Sequence, residues 1–183
     1  MIPSRAKCLE LLKKHKYYQE GNPIIHTLLV EEVSLKISDM LISKDISVDK
    51  DVIRAAALLH DIGKEDKGHA NHDERGYNIC MQEKLDPKIC IVVRNHDMNG
   101  VLRNLDSWEE KIVSYADKIC NNTILGLEER SKDWRRRFPE HFEKNKELSL
   151  RAFARSEMLE KEILNKLKLT PNQLYDILRG RKD

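Results

Sequence analysis

Aromatic side chains are scarce, at 5% of 183 residues, and long apolar runs are missing. The longest uninterrupted apolar stretches, 55–59 and 89–93, fall far short of the roughly 20 residues that a membrane-spanning helix needs. No membrane span is expected. Charge of one sign is lacking too: 33 Lys plus Arg meet 31 Asp plus Glu, for a net charge of +2. With no broad basic field, neither nucleic acid nor anionic lipid is marked out as the main partner. Cysteine is sparse, and Cys8, Cys80, Cys90 and Cys120 form no Cys-x-x-Cys motif. Each has apolar neighbours, so all four read as small buried hydrophobes in a reduced compartment. The first seven residues, Met-Ile-Pro-Ser-Arg-Ala-Lys, run into a charged amphipathic stretch instead of an apolar core with a cleavage site. The expectation is a cytoplasmic protein.

What is present suits a folded domain. A 35% charged fraction accompanies 40% apolar content, and the signs interleave along the chain, unlike the single-sign composition of disordered segments. The length gives a prior near one domain.

Apolar residues recur at spacings of three and four, without period-two alternation, so the expected fold is all-α. Leu29, Val30, Val33, Ile37, Met40 and Leu41 draw a helical stripe after the Asn22-Pro23 turn signal. A second helix is expected over 50–60, ended by a glycine stop at Ile62-Gly63-Lys64. A polar loop over 65–70 precedes helical spacing over 72–85, and Pro87 opens a helix that ends near His96, with Asn99-Gly100 as a turn beyond it. Ser107 and Glu110 predict a capping box ahead of Ile112, Val113, Tyr115, Ala116 and Ile119. Charged helices follow over 130–138 and 144–169, then a last one after Thr170-Pro171, with a frayed end over 179–183.

Chemistry gathers in His26, the adjacent pair His60-Asp61, His72, His96 and Asp117, each at or beside a helix with an apolar face. Imidazole and carboxylate together suit divalent first-row metals. Adjacent helical residues point about 100° apart, so His60 and Asp61 can meet on one ion only where their helix ends.

The run His60-Asp61-Ile62-Gly63-Lys64, with the order His, His-Asp, His, His, Asp, resembles the HD superfamily of metal-dependent phosphohydrolases, in its His-Asp-Ile-Gly branch, over about residues 25–119. The resemblance implies an all-α, single-domain helical bundle over 1–183, with a core over about 22–125 and charged C-terminal helices over about 127–183. It implies that His26, His60, Asp61 and Asp117 hold a first divalent ion and that Asp61 bridges to a second. His72, in the pattern His-x-x-x-Gly with Gly76, and His96 complete the second site; His69 lies close enough in sequence to compete with His72. Iron, manganese, nickel, cobalt, magnesium and zinc all fit such a donor set.

The expected reaction is hydrolysis of a phosphate ester or anhydride of a nucleotide-like substrate by a hydroxide held between the ions. Metal coordination lowers the pKa of water from about 15.7 towards about 7 and stabilises charge on the phosphoryl oxygens. Asp61 and Lys64 are the candidate catalytic groups, and Lys64, Arg75 and Arg94 the candidate phosphate contacts. Two branch signatures are absent: no Gly-Tyr-Pro follows His96, and Lys118-Ile119-Cys120-Asn121-Asn122 stands where Glu-Pro-x-Arg follows the aspartate in the diadenosine polyphosphate branch. A di-iron oxygenase and a metal-retaining regulatory module that binds nucleic acid are the alternatives. Segment 130–138 carries five positive charges, one negative and two aromatics. At i and i+4, Trp134 and Phe138 are expected to anchor a helix on the core, with solvated arginines around them. His15, His69 and His141 read as surface or loop residues, and Asp66 and Asp97 as solvated loop carboxylates or supports for a ligand imidazole.

Overall fold

The computed structural model describes residues 1–15, 24–64 and 71–180. The Asn22-Pro23 signal, the loop over 65–70 with Asp66 and His69, and residues 181–183 lie outside them. Every named element is an α-helix: α1 (Arg5–Lys14), α2 (Ile24–Ile42), α3 (Lys50–Leu59), α4 (His72–Gln82), α5 (Pro87–Asn95), α6 (Met98–Val101), α7 (Trp108–Ile119), α8 (Leu127–Arg137), α9 (Pro139–Lys144), α10 (Lys146–Leu167) and α11 (Pro171–Arg179). No helix among the described residues is long and apolar enough to cross a membrane.

Local sequence sets the helix starts. The carboxylate of Asp49 accepts from the backbone of Asp51 and Val52 at the head of α3, and Asp86 caps α5 with Pro87 in its first turn. Ser107 with Glu110, and Thr170 with Gln173, close capping boxes on α7 and α11, which satisfy amides that have no helical acceptor. α3 is the central element. Val52, Ile53 and Ala55 to Leu59 are all buried, and α1, α2, α5 and α7 pack around it; the polar edge of Lys50, Asp51 and Arg54 is confined to its first turns. Ala55, Ala56 and Ala57 keep its girth small, so its neighbours approach closely and its C-terminus finishes inside the protein.

Several boundaries depart from expectation. Asn99-Gly100 is no simple turn: Asp97 accepts from the Gly100 amide at 2.6 Å and starts the short α6. The charged region breaks at Phe138, because the residue before a proline avoids the helical region and Phe138 lies at φ −130°, ψ 57° ahead of Pro139. A second break at Asn145 separates α9 from α10, and α10 ends at Lys168 in the left-handed region. Gly63 is not a left-handed stop, since the glycines with positive φ among the described residues are Gly126 and Gly180. Its role is close approach: a Cβ there would lie 2.1 Å from the His72 carbonyl oxygen and 2.4 Å from the Gly76 nitrogen. The tail of α3 thus seats backbone-to-backbone on the first turn of α4. All four cysteines are buried and free.

Candidate metal centre

Five helix ends meet at one point. His60 and His96 are the residues that end α3 and α5, Asp117 lies in the last turn of α7, and His26 and His72 open α2 and α4. His60 is fully buried, and Asp61 and His96 are each 2% exposed. Histidines at the two C-termini use carbonyls that the helix leaves unpaired. His60 Nδ1 donates to the Ala57 oxygen at 2.7 Å, and His96 Nδ1 to the Val93 oxygen at 2.6 Å. His26 Nδ1 donates in the same way to the Asn121 carbonyl at 3.2 Å. A carbonyl only accepts, so the proton of each neutral ring sits on Nδ1 and its Nε2 lone pair faces inward.

Those lone pairs converge. His26 and His60 bring their Nε2 atoms to 3.3 Å, and His72 and His96 to 3.1 Å. Asp117 Oδ1 lies 3.1 Å from His26 Nε2 and 3.7 Å from His60 Nε2. Between the pairs sits Asp61, with Oδ2 3.3 Å from His60 Nε2 and Oδ1 3.3 Å and 3.6 Å from those of His96 and His72. Its buried Oδ1 has no hydrogen-bond partner. Burying such an atom without compensation is costly, and neutral imidazoles presenting lone pairs to it offer none.

A divalent cation fits this arrangement. Two donors each about 2.0–2.1 Å from one ion, in tetrahedral or octahedral array, stand roughly 2.9–3.4 Å apart, which spans the separations within both histidine pairs. His26, His60 and Asp117, and likewise His60, Asp61 and His96, hold their ligand atoms within 4.8 Å of one another. The electrostatics agree. Burial alone would raise the Asp61 carboxyl, but the positive charge of a protonated His60 and of the Lys64 ammonium holds it well below the usual carboxylate range. Burial acts on Asp117 in the same sense and is outweighed by Lys118, His26 and His60. Burial pushes His60 down, yet Asp61 and Asp117 more than reverse this and leave it raised. The centre is built to hold positive charge.

The cavity above it is about 860 Å³ and is lined in part by His26, Asp61, Lys64, His72, His96 and Asp117. The structure therefore brings together all six expected ligands and Lys64, whose ammonium bonds to Asp61 Oδ2. Arg75 and Arg94 are not among the lining residues. Arg75 Nε donates to the Gly63 carbonyl at 2.9 Å, bracing the α3–α4 contact. Arg94 is taken up by Glu74 at 2.7 Å and lies 5.2 Å from the centre of the Tyr77 ring. Asp97 supports no imidazole, since its carboxylate caps α6. Sequence reasoning missed Lys118, which bridges Asp117 Oδ2 and the His96 carbonyl, each at 2.7 Å. Its position directly after Asp117 was the available signal. The anchoring expected of Trp134 and Phe138 is also corrected: both line the cavity, as does His141, and Phe138 is 41% exposed.

A family model described as HD domain matches residues 24–122, over half of the chain and every one of these six residues. The chain belongs to the HD domain family. Among curated proteins, this HD chain is similar to a tRNA (cytidine(56)-2'-O)-methyltransferase of Picrophilus torridus, 27% identical over 142 residues that cover 70% of this chain and 40% of that protein. It is 31% identical to a dihydroneopterin 2',3'-cyclic phosphate phosphodiesterase of Methanocaldococcus jannaschii, covering 65% of this chain and 55% of the relative. Ribonuclease Y of Treponema pallidum is 30% identical over 121 residues, 65% of this chain and 22% of its own length. The HD chain thus spans well under two thirds of the length of each of these three relatives. No solved structure matches it.

Proposed function

We propose that this HD protein is a metal-dependent phosphohydrolase that cleaves a phosphate ester or anhydride of a nucleotide-like substrate. His26, His60, Asp61 and Asp117 would hold one divalent ion, and Asp61, His72 and His96 a second, with Asp61 shared. The observation that carries this reading is the Asp61 carboxylate, whose two oxygens face two separate imidazole pairs. When bound, such ions supply Lewis acidity towards phosphoryl oxygens and make hydroxide available near neutral pH.

The protein's own groups do the rest. Nδ1 hydrogen bonds to main-chain carbonyls hold His26, His60 and His96 in the ligating tautomer. Lys64 places an ammonium at the cavity floor, next to Asp61, where it contacts a substrate phosphoryl oxygen as a point charge. Lys118 ties Asp117 to the end of α5, which fixes the spacing of the two halves of the centre. Two relatives carry names of the same reaction class, a cyclic-phosphate phosphodiesterase and a ribonuclease.

The test is hydrolysis after chelation and readdition of single divalent metals, read as released phosphate for nucleotides and sugar phosphates and as the new phosphomonoester or nucleotide for cyclic nucleotides and dinucleoside polyphosphates. Turnover should require metal and fall by about a thousandfold in Asp61→Asn, in line with the several kcal/mol that metal ions contribute to such transition states. Turnover that survives chelation, or that Asp61→Asn leaves intact, contradicts the proposal; iron- and oxygen-dependent turnover would replace it with an oxygenase.

A further inference from the structure

The family match ends at residue 122, yet the cavity does not. Its far wall is built by α8, α9 and α10. On α8 the inward stripe reads Leu127, Arg130, Ser131, Trp134, with Phe138 just beyond, spaced as one helical face. A face packed on a core would be apolar throughout; this one sets a guanidinium and a hydroxyl, Arg130 and Ser131, among its rings. Leu127 is the one buried residue of α8, and α9 has none. The rings here cluster with one another instead of sinking into the core. Trp134 stands edge-on to His141 at 5.6 Å and to Phe142 at 6.1 Å, with Phe138 at 6.4 Å. Small residues on α10, Ser149, Ala152 and Ser156, face the same cavity and keep it open.

Two cations accompany the rings. Arg130 Nε donates to the Cys120 carbonyl at 2.7 Å, and the Arg135 guanidinium lies 4.9 Å from the Phe142 ring centre. Both line the cavity, and no carboxylate among the described residues pairs with either. By contrast, Arg137 is paired with Asp133 at 3.0 Å. Partly exposed rings beside unneutralised guanidiniums, opening on the same cavity as the metal centre, match a ligand that is flat and aromatic at one end and anionic at the other.

We propose that this wall is a subsite for the aromatic ring of the substrate, with Trp134 as the principal ring contact and Arg130 and Arg135 facing its phosphate chain or ring acceptors. The inference rests on the phosphohydrolase reading and narrows its substrate class to phosphates carried by an aromatic heterocycle, such as a nucleobase. It makes Trp134 a specificity-determining residue supplied from outside the family core.

The test is equilibrium binding of AMP and of ribose 5-phosphate to the full chain, followed by calorimetry and by tryptophan fluorescence. Trp108 and Trp134 are the two tryptophans, so Trp108→Phe leaves Trp134 as the reporter. AMP should bind more tightly than ribose 5-phosphate and quench Trp134. Trp134→Ala should weaken AMP by about 10- to 100-fold, in line with base–aromatic stacking, and leave ribose 5-phosphate unchanged, with Trp134→Phe restoring much of the loss. Equal wild-type affinity for the two ligands overturns the subsite, and this comparison needs no variant to fold. Equal weakening of both ligands in Trp134→Ala overturns it as well. So does salt-sensitive binding of short single-stranded RNA by a protein that shows no preference for AMP. Failure of the phosphohydrolase reading registers separately, as absent metal-dependent hydrolysis of every phosphate ester and anhydride tried with the wild type.

Discussion

Asp61 is a single carboxylate asked to serve two imidazole pairs, and its neighbours explain why it stays ionised while buried. His60 and Lys64 outweigh the desolvation, and in the proposed reaction Lys64, which lines the cavity, also contacts the phosphoryl group. Replacing Lys64 with Ala should lower kcat/KM by about 10- to 100-fold, the range of about 1.5–3 kcal/mol for a hydrogen bond to a charged group, while metal content persists. Steady-state kinetics with elemental analysis checks both halves, and unchanged kcat/KM contradicts the role. At this scale the sequence was informative about ligands and poor about cations. The pair His60-Asp61 and the histidines at 26, 72 and 96 carry a motif order that survives folding. The direction of an arginine is set by whichever carboxylate or carbonyl lies nearest in space: Glu74 captures Arg94 and the Gly63 carbonyl captures Arg75, and neither partner was visible in one dimension.

Among the elements, the contact between α3 and α4 decides whether the two halves of the centre meet. Gly63 and Gly76 lie where a side chain would strike backbone or Val93. The variant Gly63→Ala should push the first turn of α4, and with it His72, away from Asp61. Its expected signature is a lower Tm by thermal melting and loss of one bound ion with the other kept; full retention of both ions at wild-type Tm would contradict the account. The capping box at Ser107 to Glu110 and the proline starts at Pro87 and Pro171 were legible in the sequence because they depend on four or five consecutive residues. The role of α8 was not. A Trp and a Phe at i and i+4 look the same whether they face a core or a cavity, and the break at Phe138 moved the second ring off the helix.

Over the whole molecule, one polar knot fastens the C-terminal helices to the HD core. Tyr115 on α7 and Tyr175 on α11 both donate to Glu160 on α10, the first at 2.7 Å, and the Tyr175 hydroxyl also accepts from the Leu127 amide at the start of α8. Burial and then Glu160 push the Tyr175 phenol up to about 12; burial, Tyr175 and Glu160 raise Tyr115 as well. Both phenols are thus held neutral in the folded state, so their contribution is fully present below an ordinary tyrosine pKa of about 10, and the part due to Tyr175 is lost as pH climbs through about 12. Tyr175→Phe should remove part of the loss of helical circular dichroism that the wild type shows between about pH 10 and 12, and an unchanged alkaline unfolding profile in that variant would contradict the linkage. This knot was not legible in the sequence, since its members lie on four helices, α7, α8, α10 and α11. The all-α architecture was, because helical periodicity is a local signal.

The central claim is that Asp61 joins two cation sites, and elemental analysis of purified protein and variants tests it most directly. The account predicts two divalent ions per chain in the wild type, one in His72→Ala and in His96→Ala, and none in Asp61→Ala, with helical circular dichroism preserved throughout. Two ions retained by folded Asp61→Ala would contradict it.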